Sequence, residues 1–171
     1  MPGGSVATIK DWTINTVTFD QGATLIKNPT GKTMAGTFSM SAIAFNTPTL
    51  TSGNLFLFAG TYTYNPTDSY GFSIDNIDID DGSLAGAGNM FISLTGSFVE
   101  LEVNDILLND VTCDDMSLVH LAPTQVTNDA KLSSWTVTNS TLDNSFKLMK
   151  YASTGNAAKI DISTITLNGG T

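Results

Sequence analysis

Six stretches of the chain fit one template: apolar, any, apolar, two polar, apolar, any, apolar, then Asp or Asn. The first two are Trp12, Ile14, Val17, Phe19, Asp20 and Phe38, Met40, Ile43, Phe45, Asn46. The next two are Phe72, Ile74, Ile77, Ile79, Asp80 and Leu101, Val103, Ile106, Leu108, Asn109. The last two are Trp135, Val137, Ser140, Leu142, Asp143 and Ile160, Ile162, Ile165, Leu167, Asn168. Of 24 template positions 23 are apolar, with Ser140 the exception, and all six stretches close on Asp or Asn. Self-similarity at this spacing is the mark of stacked repeats.

The repeats start at Trp12, Phe38, Phe72, Leu101, Trp135 and Ile160, so the period is uneven and the coils opening at Phe38 and Leu101 are the longest. Apolar-any-apolar is a strand with one buried face. The polar step lets the chain bend before a second short strand again points inward. The first five repeats each add a further apolar run: Leu25-Ile26, Leu55–Phe58, Met90–Leu94, Leu118–Leu121 and Phe146–Met149. Each repeat thus reads as one coil of two to three short strands. One coil cannot bury its own apolar face, so coils must stack. The expected fold is all-β: a single domain over residues 1–171, a parallel β-helix (β-solenoid) of about six coils with open ends. Six coils at about 4.8 Å give a length of about 29 Å.

The closing column runs Asp20, Asn46, Asp80, Asn109, Asp143, Asn168. Asn and Asp tolerate the left-handed backbone that a sharp corner needs. Charged and neutral members alternate, so no two carboxylates are expected to be stack neighbours, where like charges would oppose pairing. The pattern resembles that of the right-handed parallel β-helix superfamily, the solenoid of pectate-lyase-like proteins, over about residues 6–171. Right-handedness is what the resemblance implies. That fold hosts lyases, hydrolases, tailspikes, adhesins and surface proteins, so the resemblance points to an architecture and not to one activity.

The chain has no Arg, and 7 Lys oppose 14 Asp and 2 Glu for a net charge of −9. Nucleic acid and anionic membranes need clustered cations, so neither is an expected partner. No apolar run approaches the roughly 20 residues that a helix needs to cross a bilayer, so no membrane span is expected. The first residues lack the charged-then-apolar plan of a signal peptide. Cys113 is the lone cysteine and reads as a small buried residue.

Paired carboxylates suit glycoside hydrolysis, which draws attention to Asp80-Asp81 and Asp114-Asp115. The Gly-His-Gly and Arg-x-Lys signatures that accompany such acids in the superfamily's hydrolases are absent, and its lyases use an Arg base that this chain lacks. The pairs therefore read as solvated corners, with no catalytic residue, metal or cofactor assigned. His120 sits in an apolar run with no second His to support it, and reads as structural.

The two longest coils place their extra residues at Gly60–Gly71 and Ala122–Ala130, which predicts two loops on one side. The first carries Tyr62, Tyr64 and Tyr70, whose flat faces and polar tips suit sugars or protein partners. Asn139-Ser140-Thr141 is an N-glycosylation sequon, so Asn139 is a candidate glycan site. Thr and Ser number 25 and 16, which raises ice binding. The outward columns Thr13, Ser39, Ser73, Glu102, Thr136, Asp161 and Thr18, Ala44, Asp78, Leu107, Thr141, Thr166 are too mixed for it.

Joining the two ends, from Ile160 through Thr171 and on to Trp12, would give a coil close in length to the one before it. The corner column would stay in phase from Asn168 to Asp20. Open strand edges are templates for pairing. The expected role is a structural building block of an extracellular fibre or surface protein. Its partners would be further copies of itself, head to tail, or neighbouring coils of a longer chain. The alternatives are a carbohydrate-binding or carbohydrate-active module of the same fold, and a monomeric adhesin using the tyrosine loop.

Overall fold

A computed structural model describes residues 5–63, 71–123, 125–152 and 157–170. The first coil is β1 (Ser5–Asn15), β2 (Thr18–Phe19), β3 (Ile26–Asn28) and β4 (Thr33–Met34). The second is β5 (Gly36–Asn46), β6 (Thr49–Leu50), β7 (Asn54–Phe58) and β8 (Thr61–Tyr62). The third is β9 (Phe72–Asp80), β10 (Ser83–Ala85), β11 (Met90–Leu94) and β12 (Ser97–Phe98). The fourth has β13 (Leu101–Asn109), β14 (Thr112–Asp114) and β15 (Ser117–Leu121), and β16 (Gln125–Thr138) runs on into the fifth. The fifth continues with β17 (Thr141–Asp143) and β18 (Lys147–Tyr151), and β19 (Ala157–Asn168) follows.

Every pairing of these strands is parallel and joins equivalent strands of successive coils, so the chain is a parallel β-solenoid. The long strands stack in the order β1-β5-β9-β13-β16-β19. The second sheet runs β2-β6-β10-β14-β17 and the third β3-β7-β11-β15-β18. A short fourth ladder, β4-β8-β12, continues onto the first residues of β16, where Val126 in turn pairs with Ala157 of β19. Six rungs in the long sheet against five in the next two make five full turns and one further rung.

The pairing register corrects the expected alignment of two repeats. Phe38 pairs with Ala7, not Trp12, and Leu101 pairs with Ala130, not Trp135. The aligned repeats begin at Ala7, Phe38, Phe72, Leu101, Ala130 and Ile160, and their period is more even than the expected one. Ser140 drops out of the template, and all its inward positions become apolar. The cause is a shorter period inside the coil. Left-handed residues stand at Asp11, Ala42, Asn76, Asp105, Ser134 and Thr164, within the long strands. A second column stands five residues later at Thr16, Thr47, Asp81, Asp110, Asn139 and Gly169. Each left-handed residue resets the in-out alternation, so apolar-any-apolar recurs every five residues. A template slid by five residues fits almost as well.

The same register corrects the corner column. Asn46, Asp80, Asn109 and Asn168 stand in one ladder, with Asn15 and Thr138 in the places given to Asp20 and Asp143. Asn46 donates to Asn15 at 2.7 Å, and Asn109 donates to Asp80 at 2.7 Å. The left-handed backbone belongs to the residue after this column, not to the column itself. Asp143 lies in β17 directly beside Asp114, so two carboxylates are stack neighbours after all. Asp114 accepts a hydrogen bond from Asn144, which offsets part of that repulsion.

The core is apolar and aromatic through the middle coils. Phe72 is fully buried between stacked Phe38, with ring centroids 5.0 Å apart, and edge-on Phe58, Tyr62 and Phe98. Gly96 passes so close to the coil before it that a Cβ would stand 2.0 Å from the Gly60 carbonyl oxygen. Only glycine allows that approach.

Two buried groups give the fold an alkaline limit. Burial raises the Cys113 thiol from 9.0 to about 12. Burial likewise raises the Tyr62 phenol from 10.0 to about 12, against an opposing hydrogen bond from Asn28. Between about pH 9 and 12 the folded chain keeps protons that the unfolded chain sheds. Stability is therefore fully retained below that window and falls as pH rises through it. Each group contributes a slope of up to about 1.4 kcal/mol per pH unit. In urea titrations Cys113→Ala is expected to remove the part of the decline that begins near 9, leaving the part that begins near 10. A wild-type midpoint that stays level throughout the window would contradict both assignments.

Candidate functional site

Two features of the surface could engage a partner: the ends of the solenoid and a trough along the long sheet. The ends follow from the topology. Among the described residues β1 pairs only with β5, and β19 only with β16, so each presents one unpaired edge. Among the described residues, the exposed large apolar side chains all lie on the terminal coils. They are Val6, Trp12 and Leu25 at one end, and Tyr151, Ile162, Ile165 and Leu167 at the other. Equivalent positions in the inner coils, such as Ile43, Ile77 and Ile106, are 0 to 1% exposed. Trp12 and Ile165, at the same place in the template, are 40% and 42% exposed. Apart from Val6, which stands in the outward column beside Thr37, exposure at the ends is thus the core pattern without a neighbouring rung to cover it.

The β1 end is also hollow. A cavity of about 310 Å³ opens there, lined by Ala7, Ile26, Met34, Phe38, Phe58 and Tyr62. Ala7 is a small residue on the terminal rung, so no neighbouring coil closes the space over it, whereas Ala130 in the same column is enclosed by coils on both sides.

The trough follows from the left-handed bend in each long strand. Three adjoining hollows of about 300, 250 and 180 Å³ run across the outer face. Asp78 lines all three, Ala44 and Leu107 line two each, and Asp11, Asp80 and Asp105 stand along the sides. The Asp78 carboxyl is held above its ordinary range, first by burial and then by the charge of Asp80. The trough is rich in acceptors and has no lysine among its lining residues.

Other expected sites fall elsewhere. Tyr62 is a core residue, 3% exposed, stacked on Phe98 at 5.0 Å and hydrogen-bonded by Asn28 at 2.9 Å. It points inward because it occupies the buried place in β8, and it lines the hollow at the β1 end rather than a loop surface. Tyr64 and Tyr70 lie outside the described residues. The expected loop over Ala122–Ala130 is largely strand, because β16 begins at Gln125 and continues unbroken into the long sheet. Asn139 is exposed at a left-handed corner, where its backbone N–H donates to the Asn168 carbonyl at 3.0 Å. Its neighbour Ser140 is buried and accepts from the Val111 N–H at 3.1 Å.

Asp80 and Asp81 belong to different columns, as do Asp114 and Asp115, since the second member of each pair is the left-handed residue. Among the described residues no three His, Cys, Asp or Glu side chains group as metal ligands. His120 lies outside the core beside Lys150, and burial, then that lysine's charge, lowers its pKa. Register also reveals a hydroxyl column that the misaligned template hid: Thr18, Thr49, Ser83, Thr112 and Thr141. The next column outward, Asp20, Thr51, Ala85, Asp114 and Asp143, is mixed in size and charge, so this face is not a uniform threonine surface.

No protein-family model, curated protein or solved structure matches this chain.

Proposed function

We propose that this protein is a structural building block of an extracellular fibre or surface protein, whose open solenoid ends pair with further coils. The partner is another copy of the chain, or the adjoining coils of a longer one. The observation that carries the reading is the distribution of exposed large apolar side chains. Among the described residues they are confined to the two terminal coils, and five of the seven (Val6, Trp12, Ile162, Ile165 and Leu167) lie on β1 and β19, the unpaired edges of the long sheet. Apolar side chains beside a free backbone edge favour strand addition, because both are satisfied at once. An extracellular place is supported by the exposed Asn139 sequon. The test is sedimentation velocity over a wide concentration range. Growth into a continuous series of larger species supports the reading, and a single monomeric boundary throughout opposes it.

A second reading rests on the trough. Its acceptor-rich sides and its Ala44 and Leu107 contacts suit a linear carbohydrate lying along the solenoid axis. Calorimetric binding of a neutral oligosaccharide, lost in Asp78→Ala, would favour a carbohydrate-binding module over a building block.

A further inference from the structure

We infer that the two ends join in one polarity and one register: β19 of one copy lies parallel on β1 of the next, with Ile160 on Ala7, Ile162 on Ile9, Ile165 on Trp12 and Leu167 on Ile14. This rests on the stacking role proposed above and adds its geometry. The partner is a second copy of this chain.

The left-handed residue decides the polarity. In β1 it is Asp11, and in β19 it is Thr164. In both strands the template's inward positions lie four and two residues before it and one and three after it. A parallel pairing that superposes the two bends sets every inward residue on an inward residue, as at each rung within the chain. An antiparallel pairing with bends superposed sets inward residues on outward ones, for example Ile165 against Ser163 in a β19-to-β19 contact. Sliding that pairing by one residue restores the faces, but it opposes each left-handed residue to an extended one. Two copies therefore cannot join tail to tail or head to head with both bend and faces matched.

Shape and charge support the same register. Ile160 would stand against Ala7, which lines the hollow at the β1 end. Asn168 would stand on Asn15 and extend the side-chain amide ladder already formed by Asn46 and Asn15. Lys10 would face Ser163, diagonal to Asp161, within the reach of long side chains on neighbouring strands. No like charges would be directly opposed. The expected joining coil does not survive the corrected register. It would close on Trp12, whereas the first-coil residue in the column of Ile160 is Ala7. The junction is thus made by the long sheet, and the second and third sheets are left one rung short.

Cysteine cross-linking tests this. Thr13 and Thr166 would face each other on the outer surface, and adjacent strands lie about 4.8 Å apart, within disulfide range. Thr13→Cys and Thr166→Cys chains are mixed under mild oxidation, with melting curves to verify folding. Native Cys113 is buried and does not compete. The expected result is a linked dimer in the mixture that is lost when either variant is oxidised alone. A Thr8→Cys and Asp161→Cys mixture gives an independent pair in the same register. Linkage of either variant with itself would overturn the polarity. Assembly without any linkage in both pairs would overturn the register while leaving the building-block role intact. Absence of assembly would overturn both.

Discussion

Replacing Ile165 with lysine is expected to abolish end-to-end assembly while leaving the monomer's melting transition nearly unchanged. Ile165 is 42% exposed on the terminal rung, so in the monomer a lysine there keeps its ammonium in water. Such surface substitutions are usually within about ±0.5 kcal/mol. In a junction the same position is enclosed by Trp12 of the next copy, and an unpaired charge buried there costs several kcal/mol. A loss of about 3 kcal/mol is about 100-fold in association constant. Thr166→Lys is the control. It projects outward from the neighbouring position and is expected to assemble nearly as well as the wild type. Sedimentation of the three proteins at matched concentration reads the difference. Equal assembly by Ile165→Lys and wild type would show that β19 is not at the junction.

The largest stability effect is expected from Phe72→Ala. Phe72 has no exposed surface and touches four aromatic rings, three from the coil before it and one from its own. Truncation of such a residue costs about 3–5 kcal/mol, because the removed ring leaves a cavity that stacked coils cannot close. Neighbouring repeats are held by their shared interfaces, so damage at the third coil weakens its contacts on both sides. Ile162→Ala is the comparison. Its side chain is 44% exposed, so a smaller transfer term is lost and no enclosed cavity forms. Chemical denaturation should place Phe72→Ala far below Ile162→Ala. Similar midpoints would mean that the aromatic cluster is not the centre of stability.

The repeat made the architecture legible because each inward position needs an apolar side chain and each corner a residue at ease in the left-handed region. The phase was not legible. Ala7-Ile9, Trp12-Ile14 and Val17-Phe19 are three successive apolar pairs at a five-residue step, and any two adjacent pairs satisfy the template. In the middle coils Pro48 and Gly82 interrupt the third pair and fix the phase. In the first coil Val17 does not interrupt it, and in the fifth the buried, hydrogen-bonded Ser140 is followed by Leu142 and Asp143 and reads as one polar exception within the template rather than as its end. Tyr62 reads as a loop residue for a related reason. It follows Phe58 by four residues as Phe98 follows Leu94, and that spacing marks an inward place on the fourth ladder. Composition alone does not distinguish such a tyrosine from one on a loop. The trough and the hollow beside Ala7 depend on register between coils, so neither could be read from one coil's sequence.

Electron microscopy of the purified protein, with power spectra of any filaments, tests the central claim most directly. Head-to-tail stacking through β19 and β1 predicts filaments with an axial repeat of about 29 Å, six long-sheet rungs at about 4.8 Å each. Discrete particles one solenoid long at every concentration would contradict end-to-end assembly and turn attention to the Asp78 trough.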